Sequence, residues 1–258
     1  MSLLLFGVFL LCLAIGVPIA FAIALAAVAV LIKGNVEMLV VVQRMFAATD
    51  SFPLIAVPFF IFAGDLLARG AISKRLVAFS ESILGNIKGG LSIVSVISGM
   101  FFAAISGSGA ATTAAVGATL IPELKKRGYN EESAAALIAA AGTIGVVIPP
   151  SVPMVLYAVI ADQSVTQLFR NGFIPGILMG GVLIVIAIRQ AYVRNYPKGT
   201  KFEIKNVLLT FSKSIWGLLM PLIILGGIFS GYFTPSEAAV TATTVLDMLC
   251  SLSFLLIR

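Results

Sequence analysis

The sequence contains no histidine, only two cysteines and, over 258 residues, no more than 11% charged side chains. Each shortage removes a class of function. Without an imidazole, Ser106 or Ser108 has no base to activate it as a nucleophile. Cys12 and Cys250 sit in apolar surroundings far apart, with no CxxC spacing; they read as packing residues, not as a disulfide or a metal site. There is no dinucleotide fingerprint and no Walker A motif, which argues against direct coupling to ATP. Ala63-Gly64-Asp65 offers one carboxylate of an intramembrane aspartyl dyad and nothing clearly offers the other, so Asp65 reads as a packing or interface residue. The chain is read as not an enzyme.

What is present is apolar: 60% of residues, with a mean hydropathy of +1.11. Soluble domains are about a quarter charged, and several uncharged runs here exceed the roughly 18 residues that suggest a bilayer span. Long continuous runs, rather than short alternating ones, exclude a β-barrel. The fold class is an all-α polytopic membrane protein in a lipid bilayer. The net charge of +6 does not indicate nucleic acid, because the basic residues lie between apolar runs, as cytoplasmic loops require.

Three regions follow. Residues 1–88 form N-terminal scaffold helices and an interfacial helix. The apolar run 3–32 has no basic n-region before it and is too long for a signal peptide; it is expected as one tilted helix kinked at Gly16-Val17-Pro18. Residues 51–67 are short for a span and carry Pro53, Pro58 and Asp65. Residues 69–88 are expected to lie amphipathically at the interface, with Val77, Ile83 and Leu84 set against Ser80, Glu81 and Ser82.

Residues 89–162 form the second region, a re-entrant hairpin followed by a broken helix. The run 89–122 holds 34 residues with no charge, begins after Lys88 and ends before Lys125-Lys126-Arg127. Basic residues at both ends place both ends on the cytoplasmic side. Two full spans need about 40 residues plus a turn, so the chain is expected to turn inside the membrane as a re-entrant helical hairpin. Its tip is Ser106-Gly107-Ser108-Gly109, where glycine permits unusual backbone angles. A single long span with a small-residue packing face is the competing reading; it explains Ala and Gly but not the basic residues at both ends. A second apolar stretch, 134–161, starts behind an expected N-cap at Asn130 with Glu131 and Glu132 at the positive end of the helix. It is interrupted by Gly142, Thr143 and Gly145, then by Pro149, Pro150, Ser151 and Pro153, which remove backbone donors and break the helix.

Residues 163–258 hold further spanning helices, expected over 173–193 and 215–233, with the basic stretch 194–205 between them in the cytoplasm. Thr234-Pro235-Ser236-Glu237 reads as a capping box opening a last helix.

Interrupted helices meeting near the midplane can hold ions and solutes through freed carbonyls and helix N-termini. The available ligands are backbone carbonyls and the hydroxyls of Ser106, Ser108, Thr112, Thr113, Thr143 and Ser151. No carboxylate lies between Ser82 and Pro122 or between Ser133 and Ala161. Ca²⁺ and Mg²⁺ sites recruit Asp or Glu, and a proton relay needs an ionisable group; a neutral oxygen cage suits Na⁺. For any one hydroxyl alone, a bond to the carbonyl one turn back is the simpler account. Clustering at two breaks shifts the balance.

The stretches 16–25, 102–159, 168–180 and 226–240 together resemble the large membrane subunit of TRAP (tripartite ATP-independent periplasmic) transporters. The SGSG hairpin followed by KKRGY and the G-T-x-G-x-x-I-P-P-S break is a specific combination. The resemblance implies one repeat of an inverted-repeat ion-transporter fold in the bacterial cytoplasmic membrane. It implies Na⁺-driven import of a carboxylate solute, a soluble periplasmic binding protein that delivers it, and a small membrane subunit as partner. It places an ion and solute site at Ser106, Gly107, Ser108, Gly109, Gly142, Thr143, Gly145, Pro149, Pro150 and Ser151, with Na⁺ at the same positions. The family's large subunit is much longer, so the expectation is a truncated, frameshifted or split half, with its ending after Val240 outside the family pattern. The alternatives are a membrane scaffold that does not transport, and a dicarboxylate or citrate symporter that needs no binding protein.

Overall fold

The computed structural model describes residues 1–69, 71–199 and 202–255. The described residues form α-helices and two short 3-10 turns, with no named strand among them. The chain divides into two compact units, Met1–Ser51 and Phe52–Arg258.

In the first unit, α1 (Ser2–Ala14), α2 (Ile19–Lys33) and α3 (Met38–Thr49) follow one another. The run 3–32 is therefore two helices, not one kinked helix. Gly16 adopts φ +86°, the Gly16 N–H donates to Leu13 O at 3.0 Å and the Val17 N–H donates to Cys12 O at 3.0 Å. That pattern is a left-handed C-terminal stop, which satisfies the last carbonyls of α1; Pro18 then starts α2. The two helices pack through small side chains, with Cys12, Ala22 and Ala26 buried. Close approach through small residues is how helices associate in lipid.

The second unit begins with a 3-10 turn at Phe52–Ile55, followed by α4 (Ala56–Arg69) and α5 (Ala71–Leu84). The hairpin is α6 (Gly90–Ser106) and α7 (Gly109–Lys126). The broken helix is α8 (Glu131–Thr143), a 3-10 turn at Ile144–Val146 and α9 (Val152–Ile160). Then come α10 (Val165–Val193), α11 (Ile204–Phe229) and α12 (Pro235–Leu255). Thirteen of the 17 residues of α6 are buried, so α6 is enclosed on all sides and forms the centre of the unit. Around it the core is Phe60 and Leu67 of α4, Leu76 of α5, Leu120 and Leu124 of α7, and Phe169 of α10.

Helices α10 and α11 are the two that are long and apolar enough to cross a membrane among the described residues. At 29 and 26 residues they reach about 43 and 39 Å, against a hydrocarbon core of about 30 Å. Both begin upstream of the expected spans, because Ser164 caps α10 by accepting from the Gln167 N–H at 3.4 Å and α11 starts after Glu203.

Helix α5 departs from the amphipathic expectation. It packs against α6 and α11 with its serines inside: Ser80 and Ser82 are buried while Ile83 is exposed. The Ser80 hydroxyl donates to Leu76 O at 2.9 Å, Ser82 meets Thr210 Oγ1 at 2.9 Å, and Ser214 of α11 donates to Arg75 O at 2.8 Å. Those bonds remove the penalty that made the serines read as an outer face. The expected capping box at α12 is present: the Thr234 N–H donates to Glu237 Oε2 at 2.8 Å and the Glu237 N–H to Thr234 Oγ1 at 3.3 Å. The same helix is tied to the start of the unit by Ser236 donating to Phe52 O at 2.7 Å and Thr243 to Phe59 O at 3.0 Å.

Candidate functional site

The hairpin turns on two residues. Gly107 takes a left-handed conformation, φ +60°, which closes α6 at low steric cost only for glycine. Ser108 is extended and caps α7 by accepting from the Ala111 N–H at 3.4 Å. Both arms return to the same end of the unit. Gly89, just before α6, donates its N–H to Pro197 O at 3.2 Å, and Tyr129, just after α7, stacks on the adjacent Tyr196.

That end holds the basic residues. The Arg127 guanidinium donates to Glu81 at 2.6 Å and Glu123 at 3.0 Å, and Lys125 pairs with Glu131 at 2.6 Å. Burial would lower the Arg127 pKa, but the hydrogen bonds and charges of Glu81 and Glu123 outweigh it and hold it above its ordinary value. Lys88 donates to Asn195 Oδ1 at 2.8 Å and lies 5.3 Å from the Tyr192 ring centre. Tyr129 stacks on Tyr196 with ring centres 4.1 Å apart, and burial pushes the Tyr129 phenol above its usual range. The helix α8 starts here, with Asn130 capping through the Ser133 N–H at 2.9 Å as the sequence predicts.

The tip meets the helix break. The Val152 N–H donates to Gly107 O at 3.1 Å, and a side chain on Gly107 would reach to 2.5 Å of Pro150 O. A Cβ on Gly109 would lie 2.9 Å from Gly142 O, and one on Gly145 would lie 3.0 Å from both Ser108 O and Thr112 Oγ1. Gly142 packs against Thr113 Oγ1 so closely that any side chain there would collide with it. Glycine is required at these contacts because two backbones touch. The hydroxyls are buried: Ser106 is 1% exposed, Thr112 and Ser151 0%. Ser106 Oγ lies 3.0 Å from Thr112 Oγ1 and 3.3 Å from Ser108 O. Ser151 donates to Val146 O at 2.6 Å and caps α9 through the Met154 N–H at 3.4 Å. Pro149-Pro150 is a cis bond.

Of the ten residues the sequence singles out, eight are brought together by these contacts, and Pro149 stands beside Pro150 in the break. Thr143 is in the same stretch, but its side chain is exposed and donates to Ala140 O at 2.7 Å, the bond within the helix that the simpler account expects. Gly64 of α4 joins the site unannounced by the sequence: a Cβ there would sit 2.9 Å from Ser106 Cβ. Its only signal was a small pair, Ala63-Gly64, next to Asp65. Two helix C-termini, of α6 and α8, and two N-termini, of α7 and α9, thus face one junction. Carbonyl ends favour cations and N–H ends favour anions. Among the described residues no cluster of His, Cys, Asp or Glu is placed to hold a metal ion.

Interrupted helix ends that meet at a buried polar junction are an arrangement that can hold ions or solutes. The chain belongs to the family of the tripartite ATP-independent periplasmic transporter, DctM component, whose profile matches residues 6–254. That match extends through most of α12, beyond the Val240 at which the resemblance was expected to stop. The chain is 44% identical to the isethionate TRAP transporter permease protein DctMQ of Oleidesulfovibrio alaskensis, over 92% of this chain and 38% of that protein. It is 40% identical to the C4-dicarboxylate TRAP transporter large permease protein DctM of Vibrio cholerae, over 88% and 51%. It is 39% identical to the 2,3-diketo-L-gulonate TRAP transporter large permease protein YiaN of Escherichia coli, over 89% and 54%. The chain spans about half or less of the length of these curated relatives.

Proposed function

We propose that this chain is the ion-binding portion of the large subunit of a Na⁺-coupled secondary transporter in the bacterial cytoplasmic membrane. It imports a carboxylate solute that a periplasmic binding protein delivers, and it works beside a small membrane subunit. The observation that carries this reading is the largely buried junction of hairpin tip and helix break, formed by hydroxyls and backbone of two segments, 106–113 and 142–151, that carry no carboxylate. In such a site a monovalent cation is held by neutral oxygens, and the paired N-termini of α7 and α9 favour an anion close by. The relatives' names, C4-dicarboxylate and 2,3-diketo-L-gulonate, support a carboxylate; isethionate widens the class to small organic anions. Non-helical backbone at membrane depth must be buried in protein or line a wet cavity; Ser106, Gly107, Ile144, Gly145, Ile148, Pro149, Pro150 and Ser151 are buried, whereas Val146 is exposed.

The test is Na⁺-driven uptake into proteoliposomes that carry this chain with the rest of a large subunit, a small subunit and a binding protein. Ser106→Ala removes a buried hydroxyl, commonly a loss of about 1–3 kcal/mol. The Na⁺ concentration for half-maximal uptake then rises roughly ten- to a hundredfold. Thr143→Ala, whose hydroxyl is exposed, changes it less. An unchanged Na⁺ response in Ser106→Ala removes the tip from the ion site.

A further inference from the structure

We infer that Gly172 and Gly176 of α10 are positioning residues that set where the helix break stands relative to the hairpin tip, and so tune the proposed ion site without touching it. The inference rests on the ion-site reading above. Gly172, Gly176 and Gly180 recur at every fourth residue of α10 and are all buried, so they stack on one helix face. Each receives a part of the transport elements. Gly172 receives the Met154 side chain of α9 and the carbonyl of Val147, each 2.7 Å from a Cβ built there. Gly176 receives Ile148 so tightly that a Cβ would collide with its Cγ1. Gly180 receives the Met100 thioether of α6 in the same way.

Val147 and Ile148 are the residues just before Pro149-Pro150. Their neighbours are the junction itself: Val146 O accepts from Ser151 at 2.6 Å, and Gly107 O accepts from the Val152 N–H at 3.1 Å. A displacement of Ile148 is therefore transmitted to Ser151 and Gly107 within a few bonds. Val147 and Ile148 donate to Ile144 O at 2.9 and 2.8 Å, but Pro149 and Pro150 have no N–H to continue the ladder, so the rigid helix behind the break helps to fix its place. Glycine lets the α10 backbone come close enough to act as that stop. Met154 and Met100 are flexible and can shift aside; Ile148 is β-branched and held at χ1, and the Val147 carbonyl is backbone. The glycines facing the break thus transmit their position, whereas Gly180 does not.

The chain offers its own control. Gly181, one residue on, has nothing within 4 Å of a Cβ built there. The experiment is ²²Na⁺ binding to the purified 258-residue chain in detergent, with thermal unfolding measured in parallel. Gly176→Ala is expected to weaken Na⁺ binding roughly tenfold, the effect of overpacking on a neighbouring site, while Gly181→Ala matches wild type. Ile148→Ala, added to Gly176→Ala, removes the colliding atoms and restores Na⁺ affinity. Met154→Ala added to Gly172→Ala restores little, because the Val147 carbonyl remains. A merely structural role would change the unfolding temperature of Gly176→Ala without this pattern of rescue in Na⁺ affinity. Equal Na⁺ binding in Gly176→Ala and Gly181→Ala, beside a wild type that binds, overturns the inference, as does failure of Ile148→Ala to restore it. No Na⁺ binding by the wild type overturns the ion-site reading instead, and this inference falls with it.

Discussion

Ser106 and Thr112 carry the polar centre of the hairpin, 3.0 Å apart with both side chains buried. Thr112→Val keeps the shape and removes one hydroxyl, so Ser106 retains only its contacts to Ser108 at 3.3 Å. The expected loss is about 1 kcal/mol of stability, read as a lower unfolding temperature of the purified chain. Tyr196 gives the contrast. Its buried hydroxyl has no hydrogen-bond partner among the described residues, so Tyr196→Phe is expected to be neutral or slightly stabilising in the same assay. If Thr112→Val and Tyr196→Phe lower stability equally, the hydroxyl pair is not what holds the tip. The sequence pointed to Ser106 and Ser108 through their place in an uncharged run. It could not rank them against Thr143, because which face of α8 is covered depends on how α6 and α7 pack against it.

At the scale of elements, the hairpin was legible because its signals are local. A glycine in the left-handed region ends α6, a serine starts α7, and lysines and arginines mark both bases. The two ends share one neighbour, as Gly89 against Pro197 and Tyr129 against Tyr196 show. Lys88→Cys and Gly128→Cys, each in a background where Cys12 and Cys250 are replaced by serine, are therefore expected to react with an impermeant thiol reagent from the same, cytoplasmic, face. Reaction of the two from opposite faces eliminates the hairpin. Elements 1–33 were misread for a reason of the same kind. Gly16 before Pro18 is compatible with a kink or with a stop, and the left-handed φ of Gly16 decides for the stop.

For the molecule as a whole, α10 is the yardstick. Its C-terminal end, at Tyr192 and Asn195, contacts Lys88 at the hairpin base. Its N-terminal end lies 29 residues away, about 43 Å along the axis, more than a hydrocarbon core. Gln163→Cys, in the turn before α10, is accordingly expected to react only from the face opposite to Gly128→Cys. Labelling of both from one side rules out α10 as a full crossing. Arg127 joins the ends of α5 and α7 through Glu81 and Glu123, so a basic residue at the hairpin base also binds the helices together there.

By itself the sequence determined the class of protein and the points where its helices break. Apolar runs longer than a bilayer is thick, prolines without donors, capping serines and the missing carboxylates act within a few residues of where they stand. Tertiary structure alone decided which of these features touch. Gly64 beside Ser106, Gly176 beneath Ile148 and the inward serines of α5 are contacts between segments tens of residues apart. A small or polar side chain is costly or harmless according to what lies opposite it, and that neighbour is fixed only when the helices pack.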